Sequence, residues 1–440
     1  MKAAVTGKGE AAADGFGASP ESPTLVRAIG RWDLTAAVVN GIVGSAIFGL
    51  PATLAALTGR WSPVAALAAG LGILAIVLCF AEVGSRFRDA GGPYLYTREA
   101  FGPWVGFEIG WLIFWTRVLS AAANLNVFAL YLGELLPAAR EGAGRLVAMA
   151  VLWSAVAALN VVGVRQATWA VDLFTVAKLL PLGLVVAIGL GRVSTATLAT
   201  QAVGQPDWTQ AILLLVFAYG GFETALLPAG EARDPKRDTA FALFVALALV
   251  AGIYCLVQLV VVGVVPHAAG ERAPIAAVLR ALLGPFGATL GSLAAMVSIY
   301  GWSTGTLLQS PRVLFAMAER GELPGVLARV HPRFRTPDVA VVLFAAAALG
   351  FAAFGSFASN ATFAAIVRLV YYALTAAALV VLRRRGGEPP GFRLPLAGLI
   401  VPLAVGFCLA LLATRTFEQA WILALLLLAG VPLRWAAVRG

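Results

Sequence analysis

The sequence predicts an all-α polytopic membrane protein. It should have twelve transmembrane helices in a five-plus-five inverted repeat, with helices 1 and 6 broken and two further helices at the C-terminal end. Three observations lead there. The chain has 440 residues, of which 60% are hydrophobic and 12% charged, too apolar a balance for a soluble protein of this size. Apolar windows of about 20 residues, the length that crosses a hydrocarbon core, recur along nearly all of it. Two of these windows, five apart in order, carry glycines at their centres, the sequence mark of paired discontinuous helices in a repeated transporter.

The twelve predicted spans are 34–57, 63–85, 101–134, 146–163, 170–190, 209–230, 239–264, 286–314, 338–356, 362–382, 394–413 and 417–434. They divide the chain into a first repeat (31–190), an inverted second repeat (205–385) and a pair of extra helices with a short C-terminus (390–440). Residues 1–30 are polar and rich in Gly, Ala and Pro. They lack the basic and apolar regions of a signal peptide, so a disordered cytoplasmic tail is expected. With an even number of spans both termini share a side, and the loops of that side hold 22 of the 32 Lys and Arg. The positive-inside rule then places both termini in the cytoplasm. Short loops point to a plasma membrane of bacterial inner-membrane type. The longest connections, 85–100, 230–238 and 312–337, leave no room for a soluble catalytic or receptor domain.

Several function classes drop out. Cys79, Cys255 and Cys408 lie in apolar runs and suggest no disulfide framework. His267 and His331 fall in loops, so neither a metal site nor another cofactor is expected. The net charge of +10 resides in loops beside hydrophobic spans, which speaks for membrane topology and against nucleic acid. No Ser/His or Cys/His set lies inside the spans and H-E-x-x-H is absent, so the chain is not read as an enzyme.

The stretch GIVGSAIFGLP, Gly41 to Pro51, interrupts the first span. Backbone can leave the helix at membrane depth only where protein or a water-filled cavity satisfies it. Gly44-Ser45-Ala46 is the expected break. The half-helix after it presents N–H groups and a positive dipole end to a carboxylate, and the half-helix before it presents carbonyls to an ammonium. One broken helix can therefore hold a zwitterion. Span six repeats the pattern in FAYGGFET, Phe217 to Thr224, with Gly220-Gly221 at the weak point and Glu223 beside it. The competing explanation is close packing of small residues between helices, which suits Gly41 and Gly49.

Four stretches in order then resemble the amino acid–polyamine–organocation permeases over residues 30–435. They are VGSAIF (Val43 to Phe48), AEVGSRFRDAGGPYLYTREAFGPWVGF (Ala81 to Phe107), FAYGGFETALLPAGEARDPKR (Phe217 to Arg237) and SPRVLFAMAERGELPGVLARVHPRFRTPDVA (Ser310 to Ala340). The resemblance implies a LeuT-like fold with alternating access around a central site for amino acids or amines. It implies a carboxylate on the N–H groups of Gly44, Ser45 and Ala46 and on the Ser45 hydroxyl. The amine would meet the carbonyls of Ile42, Phe217 and Gly220, with Gly221 and Phe222 completing the site and Phe217 as an aromatic lid. Ala46 stands where the family usually has glycine, which narrows the approach to the backbone. The usual P-x-A after Arg237 is missing.

Among ionisable residues within spans, Lys178 is similar to a lysine that takes sodium's place in sodium-independent members of this family. The alternative is a lysine snorkelling to the surface. Glu223 reads equally as a proton-responsive group or as an acceptor for unwound backbone. Arg117 and Arg368 need partners, and structural pairing with carbonyls or a carboxylate is the expectation. Glu108, nine residues before Arg117, faces the opposite side of the helix. Asp172 and Glu82 are assigned no transport role, most tryptophans read as interfacial or packing groups, and Ser303 and Thr304 could face the break in span one.

The sequence reading is thus a secondary active transporter of neutral L-amino acids, sodium-independent, with proton symport and exchange both open. Its partners are the substrate, protons in the symport case, and the bilayer; the oligomeric state is not encoded legibly. A polyamine or cationic amine permease is the nearest alternative, and a transport-inactive amino acid sensor is the alternative of another class.

Overall fold

The computed structural model describes residues 30–87, 91–162, 168–223, 235–386 and 389–439. The first apolar run forms two helices, α1 (Arg31–Ile42) and α2 (Ala46–Thr58), separated by Val43, Gly44 and Ser45. Then follow α3 (Ser62–Gly84), α4 (Gly92–Phe101), α5 (Pro103–Leu135), α6 (Gly142–Val162), α7 (Thr168–Gly189), the short α8 (Thr195–Thr200), α9 (Trp208–Tyr219) and α10 (Pro235–Val264). The chain continues through α11 (Pro274–Glu319), α12 (Asp338–Phe354), α13 (Phe357–Arg385), α14 (Ala397–Ala413) and α15 (Phe417–Arg439). No strand occurs among the described residues. Seven helical stretches in them are long and apolar enough to cross a membrane, and α9, α12 and α14 are shorter apolar helices. The molecule is a multi-pass membrane protein.

Two boundaries depart from the sequence reading. The connection read as loop over 85–100 contains α4, which ends at Gly102, where φ is 96° and the chain turns into α5. The predicted span 286–314 is the later part of α11, a run of 46 residues interrupted at Gly284 by a φ of 68°. The helical stretch before that kink is short of a span, so hydropathy alone does not separate it from a loop.

Helix α5 packs on α11, α12 and α13; α3 packs on α9, α10 and α14; α1 lies on α10, and α7 on α11. The outer helices α6, α14 and α15 show apolar faces outward, with Val147, Val151, Leu399, Leu403 and Leu428 exposed, as expected where lipid replaces water. A buried carboxylate fastens one end of the bundle. Glu82 on α3 accepts from Arg86 at 2.8 Å, from Arg383 Nε of α13 at 2.9 Å and from the Leu394 N–H before α14 at 2.8 Å. It is a charge wholly inside protein whose hydrogen-bonding capacity is filled, the condition under which a buried ion is tolerated.

Candidate substrate site

A cavity of about 590 Å³ lies between the broken ends of α1, α2 and α9 and the faces of α5, α11 and α13. Its lining includes Ile42, Gly44, Ser45, Ala46, Phe217, Gly220, Gly221 and Glu223 of the sequence-predicted set. It runs toward the end of the bundle where α1 begins and α11 finishes, past the exposed Ala37, Gln309 and Arg312. At the other end packing is dense. The rings of Phe217 and Phe357 meet edge to face at 6.2 Å, and a Cβ on Gly49 would lie 2.7 Å from both Phe357 and Val127.

The break in the first run falls where the sequence places it, but its free donors are shifted by a residue. The Gly44 N–H donates back to the Ile42 carbonyl at 2.9 Å, and the Ser45 carbonyl accepts from Phe48 and Gly49 at 3.0 and 2.9 Å. The N–H groups left without a protein acceptor among the described residues are those of Ser45, Ala46 and Ile47. They are the open start of α2, where the first turn has no intrahelical acceptors. The buried Ser45 hydroxyl is also unpartnered there. Gly44 serves by its lack of a side chain: a Cβ would stand 3.3 Å from the Trp302 ring, which forms part of the cavity wall.

Two of the three carbonyls expected to receive an amine, those of Ile42 and Phe217, already accept hydrogen bonds. Ile42 accepts from Gly44 and shares the single Tyr254 hydroxyl proton, at 3.3 Å, with the Ala218 carbonyl at 3.0 Å. Phe217 accepts from the Gly220 N–H at 3.2 Å and from Arg368 at 3.1 Å. Tyr254 therefore clips the ends of both interrupted helices together. The two glycines of span six are explained by close approaches. A Cβ on Gly220 would strike the Arg368 guanidinium, and one on Gly221, whose φ is 110°, would strike the Gly41 carbonyl. The second half of the predicted span, from residue 224, lies outside the described residues.

Phe222 is a correction. It does not line the cavity; it is buried between Phe80 and Tyr372, with ring centroids 5.2 Å from each.

Lys178 is 1% exposed and stands behind the cavity wall. Its ammonium donates to the Asn40 carbonyl at 2.8 Å, to the Val43 carbonyl at 2.7 Å and to the Asn40 side-chain oxygen. It thus closes the C-terminal end of α1, whose last carbonyls would otherwise be orphaned. The ammonium does not snorkel. Glu223 accepts from the Gly221 N–H at 2.9 Å, from Tyr371 at 2.9 Å and from Tyr372 at 3.0 Å, with Arg368 3.7 Å away. Arg368 also donates to the Tyr371 hydroxyl at 3.2 Å. The expectation of structural pairing is met for Arg368. It is not met for Arg117, which lines the cavity and forms no hydrogen bond or ion pair with the described residues.

Sequence reasoning weighed Arg117 alone and passed over two helix faces that line the cavity. Arg117, Ser120 and Asn124 follow an i, i+3, i+7 pattern on α5, and Trp302, Gly305, Thr306 and Gln309 do the same on α11; all line the cavity. Such spacing puts residues on one helix face, so the signal was present. Ser303 and Thr304 are buried away from the cavity instead. The Ser120 hydroxyl and the Asn124 side-chain oxygen are buried and unpartnered.

A cavity ringed by interrupted helix ends and buried polar groups is a small-molecule site inside a membrane bundle. The amino acid permease family model matches residues 29–429. The chain belongs to the amino acid permease family. The permease is 29% identical over 400 residues to the serine/threonine exchanger SteT of Bacillus subtilis, covering 88% of this chain and 90% of that one. It is 28% identical to the branched-chain amino acid permease BcaP of Bacillus subtilis, over 91% of this chain and 90% of the other. It is 27% identical to the large neutral amino acids transporter small subunit 2 of Mus musculus, over 83% and 72%. The family and these relatives make it an amino acid transporter and not an enzyme.

Proposed function

We propose that the permease carries L-amino acids by alternating access, within a twelve-span, LeuT-like fold of two inverted repeats in the plasma membrane. Both termini, and the mouth beside Arg312, face the cytoplasm. The substrate is held as a zwitterion, with its carboxylate on the N–H groups of Ser45 and Ala46 and on the Ser45 hydroxyl. Its ammonium meets the free Asn124 oxygen and the remaining lone pairs of the helix-end carbonyls. Gly44, Gly220 and Gly221 allow the backbones to converge, and Phe217 covers the far end. The observation that carries this reading is the pair of unpartnered donors, the Ser45 and Ala46 N–H groups, on residues that line the cavity at the start of α2.

Lys178 supports a sodium-independent cycle, because a fixed ammonium already occupies the carbonyls at the end of α1. Glu223 and Lys178 are the groups through which a proton could couple. The polyamine alternative loses support: the one carboxylate in the lining already accepts from Gly221, Tyr371 and Tyr372, and three arginines share the cavity. The test is uptake of labelled amino acids into sodium-free proteoliposomes, with and without an inward proton gradient, and with and without amino acid preloaded. Stimulation by the gradient at fixed membrane potential supports symport, and a strict need for preloading supports exchange. Failure to move any amino acid in a broad panel would overturn the transport reading in favour of a sensor.

A further inference from the structure

The zwitterion site accounts for one carboxylate and one ammonium, and it leaves Arg117 without a role. In place of the neutral substrates expected from the sequence, we propose that the permease prefers amino acids with a second negative charge, dicarboxylic amino acids, and that the Arg117 guanidinium receives the side-chain carboxylate. The inference rests on the cavity being the amino acid site.

The charge distribution of the cavity carries it. Arg312 sits exposed at the mouth, where water screens it. Inside, Arg368 is balanced by Glu223 at 3.7 Å and tied to the Phe217 carbonyl. Glu223 in turn accepts from two tyrosines and a backbone N–H. Arg117 also feels Glu223, so two arginines share one carboxylate and the cluster keeps one positive charge unbalanced among the described residues. A guanidinium keeps its proton and brings five donors in a planar fork, and an unbalanced one at membrane depth is costly. Water can solvate it while the cavity is open. When the cavity closes on a substrate that water must leave, and a neutral side chain would strand the charge in a medium of low dielectric. A carboxylate would neutralise it through paired charge-assisted hydrogen bonds.

The neighbours of Arg117 suit the same ligand. Ser120 and Asn124 stand on its face of α5 and line the cavity, 4% and 2% exposed, each with a buried unpartnered side-chain oxygen. The Asn124 oxygen accepts and fits the ammonium; the Ser120 hydroxyl can donate to a carboxylate beside Arg117. The wall therefore offers anion, cation and anion positions in sequence, from the start of α2 to Arg117. That is the charge order of an amino acid with an acidic side chain, and the volume of about 590 Å³ accommodates it.

The test compares acids with their isosteric amides, so that shape is constant and only charge varies. The full chain, in sodium-free proteoliposomes preloaded with mixed amino acids and bearing an inward proton gradient, is challenged with glutamate against glutamine and aspartate against asparagine. The acids are expected to compete about tenfold or more better than the amides. In Arg117→Gln the acid-over-amide ratio should shrink toward one, and Arg117→Lys should restore part of it. Equal competition by acid and amide in the wild type, or preference for the amide, would overturn the proposal while leaving the amino acid site intact. The wild-type comparison decides even if Arg117→Gln fails to fold. Absence of transport for every amino acid would remove the underlying reading and this proposal with it.

Discussion

Two interrupted helices end at the cavity, and each is closed by a cation from a distant helix. Lys178 of α7 closes α1, and Arg368 of α13 closes α9. In the proposed two-repeat arrangement α7 and α13 are the fifth helices of their repeats, so the two cations hold corresponding positions. Their surroundings differ. Lys178 is sealed behind the wall, held by three oxygens with no carboxylate among its hydrogen-bond partners. Arg368 lines the cavity and has both a carboxylate and a tyrosine hydroxyl beside it. The first is a cation placed where nothing else can reach; the second is a cation that a substrate can sense. The comparison teaches that a helix end at membrane depth must be closed, and that the closing group joins the site only when it also faces the cavity.

Removing the sealed cation should have the largest effect. Lys178→Ala leaves the Asn40 and Val43 carbonyls buried and short of a donor, at about 1–3 kcal/mol for each unsatisfied group. Sodium-free uptake should be lost, and the melting temperature in detergent should fall. Unchanged uptake would refute the role given to Lys178. Recovery of uptake when sodium is added would sharpen it, by showing that a small cation can replace the ammonium.

At the second helix end the informative change is Glu223→Gln. It preserves size and can keep contacts to Tyr371 and Tyr372, but it removes the charge that balances Arg368. Breaking a buried ion pair costs about 3–5 kcal/mol when one partner simply disappears, so an isosteric amide should cost less than that. The expected outcome is a lower melting temperature with weakened uptake. A variant as stable as the wild type would mean that the charge of Arg368 is balanced elsewhere, and would weaken the contrast with Lys178.

The sequence made the breaks legible because glycine and serine in an apolar run have few other uses. Lys178 was legible because a lysine in a span is rare enough to demand a partner. The partners were another matter. Nothing in FAYGGFET announces that the Phe217 carbonyl is taken by an arginine 151 residues later, or that Tyr254 reaches both helix ends. Those contacts depend on which helices adjoin, and hydropathy is blind to that. Phe222 was misplaced for the same reason, since a turn of unknown direction follows Tyr219. Trp302, read as a packing aromatic, forms cavity wall beside Gly44. The helix within 85–100 was missed because its polar composition does not mark a span, and only the positive φ of Gly102 separates it from α5.

The smallest effect expected comes from a glycine pair that separates function from packing within one run. At Gly49 a methyl group would stand 2.7 Å from both Phe357 and Val127. Both neighbours are confined, so Gly49→Ala should overpack the closed end and cost about 1–3 kcal/mol. At Gly44 the nearest atom is the Trp302 ring at 3.3 Å, and that ring borders open cavity. It can yield by a few tenths of an ångström, so Gly44→Ala should lower stability by less than about 1 kcal/mol. The ring yields into the space reserved for substrate, so the KM for uptake should rise while the melting temperature barely moves. Melting curves and uptake kinetics of the two variants side by side decide it. If Gly44→Ala lowered the melting temperature as much as Gly49→Ala, with KM unchanged, Gly44 would be a packing residue like Gly49, and the break at Ser45 would lose its argument for direct contact with the substrate.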